Sequence, residues 1–154
     1  MSAPLVVPDA SVILKWVLPS EDEPEADQAL ALRDAILGED IRALVPALWL
    51  YEVGNTVARR FPGYATEWLA ALIKFGLEES PPSPQWLATA VELTHRYGVT
   101  FYDAAYHAIA IVHHGLFVTA DTRYINQASE AGAMIMLGDW TPPACFRMTP
   151  IGAH

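Results

Sequence analysis

The chain has 154 residues with 18 acidic and 9 basic side chains, a formal net charge of −9. That length supports one domain, 1–154, with a substantial core, and that charge excludes a protein that coats nucleic acid by bulk positive potential. Hydrophobic residues make up 53% and charged residues 18%, too apolar for a disordered chain and apolar enough to leave surface for a protein partner.

Leu5-Val6-Val7 is short and β-branched and reads as a buried strand that ends at Pro8-Asp9. Ser11 to Leu18 reads as a short helix. Ser20 and Glu23 form a capping-box pattern before a helix over 23–37 that Gly38 stops. Ile41 to Val45 reads as a second strand, and Pro46 is placed to open a helix running to Arg60, before Phe61-Pro62-Gly63. Residues 64–75 carry Trp68, Leu69, Leu72 and Ile73 on one helical face. A weakly signalled strand falls at 77–79. Ser83-Pro84 opens a helix that ends at Tyr97-Gly98. Thr100 to Asp103 is a second capping-box pattern, heading a helix that reaches Gly115. A strand over 116–119, a helix from Asp121 to Glu130 and a strand over 134–137 follow. The tail 138–154, with Pro142, Pro143 and Pro150, reads as irregular. Short apolar strands alternating with helices give an α/β fold: a mainly parallel central sheet between two helical layers, with sites at the strands' carboxyl ends.

Three aspartates stand at strand ends or helix starts: Asp9, Asp103 and Asp121. Each also has a plain structural reading, Asp9 and Asp121 as helix N-caps and Asp103 as the acidic member of a capping box. Glu52 has Leu48, Trp49, Asn55 and Thr56 at helical spacing, which sets it on a mostly buried face. A buried carboxylate there needs a metal ion or a base, although an exposed helical glutamate is the plain alternative. Four carboxylates in one cleft repel one another and either hold protons or hold cations. Oxygen ligands without cysteine or a histidine pair favour Mg²⁺ or Mn²⁺, and such sites suit phosphoryl chemistry.

Val6-Val-Pro-Asp9-Ala-Ser11, Tyr51-Glu52-Val-Gly-Asn55, Thr100-Phe-Tyr-Asp103-Ala-Ala-Tyr-His-Ala and Val118-Thr119-Ala-Asp121 resemble, in order and spacing, the four motifs of PIN-domain ribonucleases. The resemblance spans about 4–137 and is closest to the small VapC-type toxins of bacterial toxin–antitoxin pairs. It implies a PIN-like three-layer α/β/α domain and a metal-dependent endoribonuclease using Mg²⁺ or Mn²⁺. It also implies an RNA substrate, a cognate antitoxin and a homodimer. Asp9, Glu52, Asp103 and Asp121 match the family's acidic quartet, and Ser11, Asn55 and Thr119 match polar positions that support it. The alternative is a PIN fold that binds RNA or a protein without cutting.

Lys15, Arg59, Arg60 and Arg123 lie near the quartet motifs and are candidates for RNA phosphate contacts, the plain alternative being scattered surface charge. His113 and His114 point about 100° apart on a helix and make a poor metal pair. His107 follows Asp103 by four and reads as a helix-surface histidine. The five tryptophans read as core or interface. A receiver domain requires paired acids after the first strand and a late lysine, and an aspartyl phosphatase a second aspartate where Ser11 stands; neither fits. The single cysteine, Cys145, excludes an intrachain disulfide and a cysteine-rich zinc site and accords with a cytoplasmic protein. No apolar stretch reaches the length of a membrane span, and Pro8 and Asp9 interrupt the one segment placed to act as a signal.

Overall fold

The three central strands take segments whose side chains are apolar on both faces, because a parallel sheet is covered on both sides. In the computed structural model, which describes residues 2–143, the strands are β1 (Leu5–Pro8), β2 (Arg42–Pro46), β3 (Glu78–Ser80), β4 (Leu116–Thr119) and β5 (Met134–Met136). All pair in parallel, in the order β3-β2-β1-β4-β5. Successive residues of a strand face opposite ways. Val6 and Val7, Leu44 and Val45, and Phe117 and Val118 are all buried, so helices cover both faces and the expected α/β/α layering is what the chain adopts. The polar β3 sits at an edge, where Arg42 of β2 grips Glu78 through two hydrogen bonds of 2.8 and 2.9 Å.

The helices are α1 (Ala10–Leu14), α2 (Ala26–Leu37), α3 (Trp49–Arg60), α4 (Ala65–Phe75), α5 (Pro84–Tyr97), α6 (Phe101–Val112) and α7 (Thr122–Ala128). Two N-termini follow the sequence signal closely. Ser83 accepts from Trp86 N at 3.3 Å with Pro84 in the first turn, and Thr100 accepts from Asp103 N at 3.2 Å.

Apart from shifts of one or two residues, such as the last helix ending at Ala128 and not Glu130, four boundaries differ from expectation. α1 is shorter, because Lys15, Trp16 and Val17 bond three residues back and tighten its end into a turn. The Ser20–Glu23 capping box does not form: Ser20–Asp22 is a 3₁₀ turn, and Glu23 is extended. Pro24 explains this, since the residue before a proline is disfavoured in the helical region. Helix α2 therefore starts at Ala26, after Glu25 in a left-handed conformation (φ 61°). Pro46 closes β2 opposite Ser80 instead of opening α3, because a strand end tolerates a missing N–H as well as a first helical turn does. Helix α6 stops at Val112, and Gly115 passes so close to β1 that a Cβ there would lie 2.9 Å from the Leu5 carbonyl oxygen. Residues 144–154 of the expected irregular tail, Cys145 and Pro150 among them, lie outside the described residues.

Candidate active site

Parallel pairing brings the carboxyl ends of all five strands to one edge. The chain order reverses at β1, which has β2 on one side and β4 on the other, and ligand crevices in open α/β sheets form at such a reversal. Asp9 follows β1 directly, and Asp121 follows β4 by two residues. Helix α3 returns from the end of β2 carrying Glu52 and Asn55. Helix α6 leads into β4 and so begins at the same edge, with Asp103 in its first turn. Asp9, Glu52, Asp103 and Asp121, together with Ser11, Asn55 and Tyr106, line one cleft of about 310 Å³.

Asp9 and Asp121 do cap helices, and they also line the cleft. Asp9 accepts from Ser11 N at 2.9 Å and Val12 N at 3.3 Å at the head of α1. The same oxygen takes the Ser11 hydroxyl, and the other takes the Thr119 hydroxyl at 2.5 Å. Ser11 Oγ accepts in turn from Ala120 N at 3.1 Å, and Thr119 Oγ1 from Asp121 N at 3.0 Å. Ser11 and Thr119 thus lock Asp9 to the 119–121 segment. Asp121 uses Oδ1 for both capping bonds, to Arg123 N at 3.0 Å and Tyr124 N at 3.3 Å. Glu52 is held from across the cleft, where the Tyr106 hydroxyl donates to Oε1 at 2.7 Å.

Burial dominates the electrostatics. It pushes Asp9 up from 3.8 to about 6, against the lowering effect of the Ser11, Thr119 and Val12 hydrogen bonds, and Asp103 adds repulsion. Glu52 is also raised, first by burial and then by the charges of Asp103 and Asp9, while Tyr106 opposes the shift. Asp103 is raised by burial and by Asp121, against a hydrogen bond from Thr100. Burial and Glu52 push Tyr106 far above the ordinary tyrosine range, so its hydroxyl stays a donor. The cleft therefore stores unfavourable negative charge that a proton or a cation relieves.

The remaining expected residues divide. Asn55, Arg59, Arg60 and Arg123 are exposed, but of these only Asn55 lines the cleft. Lys15 is buried, with its ammonium on the Pro24 carbonyl at 2.8 Å and 3.8 Å from Glu23. Its charge is committed within the chain, which removes it from the phosphate contacts. His107 is no surface residue: it is fully buried, with Nε2 2.7 Å from Gly132 O and Nδ1 2.8 Å from the Tyr124 hydroxyl. The carbonyl can only accept, so Nε2 carries the proton and Nδ1 accepts from Tyr124. Tyr106 was missed as a site residue. Its signal is its place three after Asp103 on α6, one helical turn along the same face.

The donor chemistry of the cleft, four carboxylates and no softer ligand, fits a hard divalent cation. Among the described residues no three His, Cys, Asp or Glu side chains converge into a ready-made cation cage. Mg²⁺ sites are commonly built from only one or two carboxylates with water completing the shell.

A family model described as PIN domain matches residues 6–130. Among solved structures, PAE2754 from Pyrobaculum aerophilum is 21% identical, with a TM-score of 0.61 over 90% of this chain and 93% of that one. FitAcB from Neisseria gonorrhoeae is 18% identical, with a TM-score of 0.64 over 88% and 99%. VapC20 of Mycobacterium tuberculosis, a sarcin–ricin-loop-cleaving toxin, is 16% identical, with a TM-score of 0.59 over 83% and 95%. At these identities the likeness is one of fold. No curated protein matches the chain.

Proposed function

The chain belongs to the PIN-domain family, and from that premise we propose that it is a metal-dependent endoribonuclease, the toxin of a toxin–antitoxin pair. The observation that carries this reading is the cleft in which four carboxylates from separate elements stand together, three of them with raised proton affinity. A module that only bound RNA or protein would gain nothing from that repulsion. Asp9, Glu52, Asp103 and Asp121 would hold one or two Mg²⁺ or Mn²⁺ ions. Such ions, when bound, activate water and offset charge on a phosphate ester.

The chain's own groups set the geometry. Ser11 and Thr119 fix the orientation of the Asp9 carboxylate. The capping bonds of Asp121 leave Oδ2 for the cleft. Tyr106 holds Oε1 of Glu52 and leaves Oε2 as a proton acceptor for an attacking water. Arg59, Arg60 and Arg123 are exposed and available to RNA phosphates outside the cleft.

VapC20 is a toxin that cleaves the sarcin–ricin loop, and this shared fold supports RNA as the substrate here. An antitoxin partner, a homodimer and a cytoplasmic location complete the proposal. Among the described residues no helix is long and apolar enough to cross a membrane. A sedimentation mass of one chain at micromolar concentration would count against the dimer.

The test is cleavage of unpaired RNA with Mg²⁺, with EDTA, and by Asp103→Asn. Cleavage should require Mg²⁺ and fall at least about 100-fold in the variant. Equal cleavage in all three samples removes the carboxylate site from the reaction, and cleavage in none leaves the non-cutting PIN module as the better reading.

A further inference from the structure

The chain has six tyrosines, and four of them have work within the fold. Tyr64 stacks on Trp68 at 5.4 Å, and Tyr97 lies under the Arg96 guanidinium at 5.7 Å. Tyr106 holds Glu52, and Tyr124 bonds His107 and packs edge-on against Phe117. Tyr51 and Tyr102 make no hydrogen bond or ring contact among the described residues. They are also the most exposed large hydrophobic side chains there, at 75% and 66%. Each directly precedes a cleft carboxylate, Tyr51 before Glu52 on α3 and Tyr102 before Asp103 on α6. The Tyr106–Glu52 bond ties these two helices together across the cleft. Neither ring lines the cleft itself; each stands about 100° round its helix from the carboxylate it precedes, and nothing inside the fold accounts for two rings left exposed there at a cost in hydrophobic free energy.

We propose that Tyr51 and Tyr102 are base-stacking platforms beside the cleft, on the two helices that carry Glu52 and Asp103, which hold nucleotides flanking the cleaved phosphate and select unpaired RNA. This rests on the ribonuclease reading above. Charge points the same way. A chain of net charge −9 with four carboxylates at its site gains little from bulk attraction of phosphate. Stacking holds a strand through its uncharged bases, and every base has a face to offer. Only an unstacked base can lie on a side chain, so the platforms discriminate against duplex. The exposed face of α3 continues the track: Tyr51, Asn55 and Arg59 follow one another at four-residue spacing and are all exposed. That stripe pairs a ring for a base, an amide for a base edge and a guanidinium for a phosphate. Asn55 lines the cleft itself, which makes the stripe continuous with the site and favours RNA over a second protein as its occupant.

The test uses the full chain, Mg²⁺ and a short mixed-sequence oligoribonucleotide containing 2-aminopurine, beside the same sequence closed into a duplex. The wild type should quench the fluorophore and cut the unpaired strand. Tyr51→Ala and Tyr102→Ala should each weaken quenching and raise KM about tenfold, with a much smaller fall in kcat. Tyr51→Trp and Tyr102→Trp should restore both readouts. Unchanged KM and quenching in both alanine variants would overturn the assignment while leaving the nuclease reading intact. So would a change confined to oligomeric mass or to capture of a protein partner. A wild type that neither quenches nor cuts overturns both.

Discussion

Asp9 carries the plainest conflict between stability and function. Its proton affinity in the fold is raised to about 6 from 3.8, chiefly by burial. A carboxyl raised in this way favours the folded state while protonated. That contribution is complete below pH about 4 and is lost as pH rises through about 6, amounting to about 3 kcal/mol by pH 7 in the metal-free chain. Asp9→Asn keeps an acceptor for Ser11 N and Val12 N and never ionises. In EDTA at pH 7 it should therefore melt several degrees above the wild type, and the gap should close towards pH 4. Thermal melts across that range check this, and a variant that melts lower than the wild type at pH 7 would contradict it. The sequence made Asp9 legible as a helix cap and as a candidate cleft carboxylate, and the fold places it both at the head of α1 and in the cleft. It could not show that the Thr119 hydroxyl would serve as donor to Asp9 and acceptor for Asp121 N together, because that link depends on β1 and β4 lying side by side.

Between elements, the bond from Tyr106 to Glu52 joins α6 to α3 across the cleft. Tyr106→Phe removes the hydroxyl and leaves the ring packed on Phe117. The loss to stability should stay near 1 kcal/mol. The loss in kcat should be larger, about tenfold or more, because Glu52 then has no fixed orientation. Chemical denaturation beside steady-state cleavage separates the two, and equal small effects on both would show that Tyr106 only packs. Helix starts marked by a local cap, Ser83 and Thr100, were readable because the partners lie within one turn. The start of α2 was misplaced although its cause was equally local, since Pro24 overrides the Ser20–Glu23 pattern. The inward turn of His107 was unreadable for another reason. Its partners Tyr124 and Gly132 belong to later segments, so their bonds could not be read from α6 alone.

For the whole molecule, the charge of −9 resolves into parts. Residues 21–27 hold five acids and no base, the cleft quartet holds four, and the other nine acids balance nine bases. The first group lies in a 3₁₀ turn and at the start of α2. The second is concentrated where β1, β4, α3 and α6 meet. The net charge by itself excluded a coat of RNA; the fold shows that nearly half of it is gathered at one site, where divalent cations would neutralise it. The acidity then predicts dependence on metal ions in place of aversion to nucleic acid. The most direct measurement is a titration of the full chain with Mn²⁺, followed by electron paramagnetic resonance, for the wild type and Asp103→Asn. Saturable binding by the wild type that weakens at least about tenfold in the variant is the result expected. Absence of saturable binding by the wild type, or equal binding by both, would contradict a cation site built from these four carboxylates.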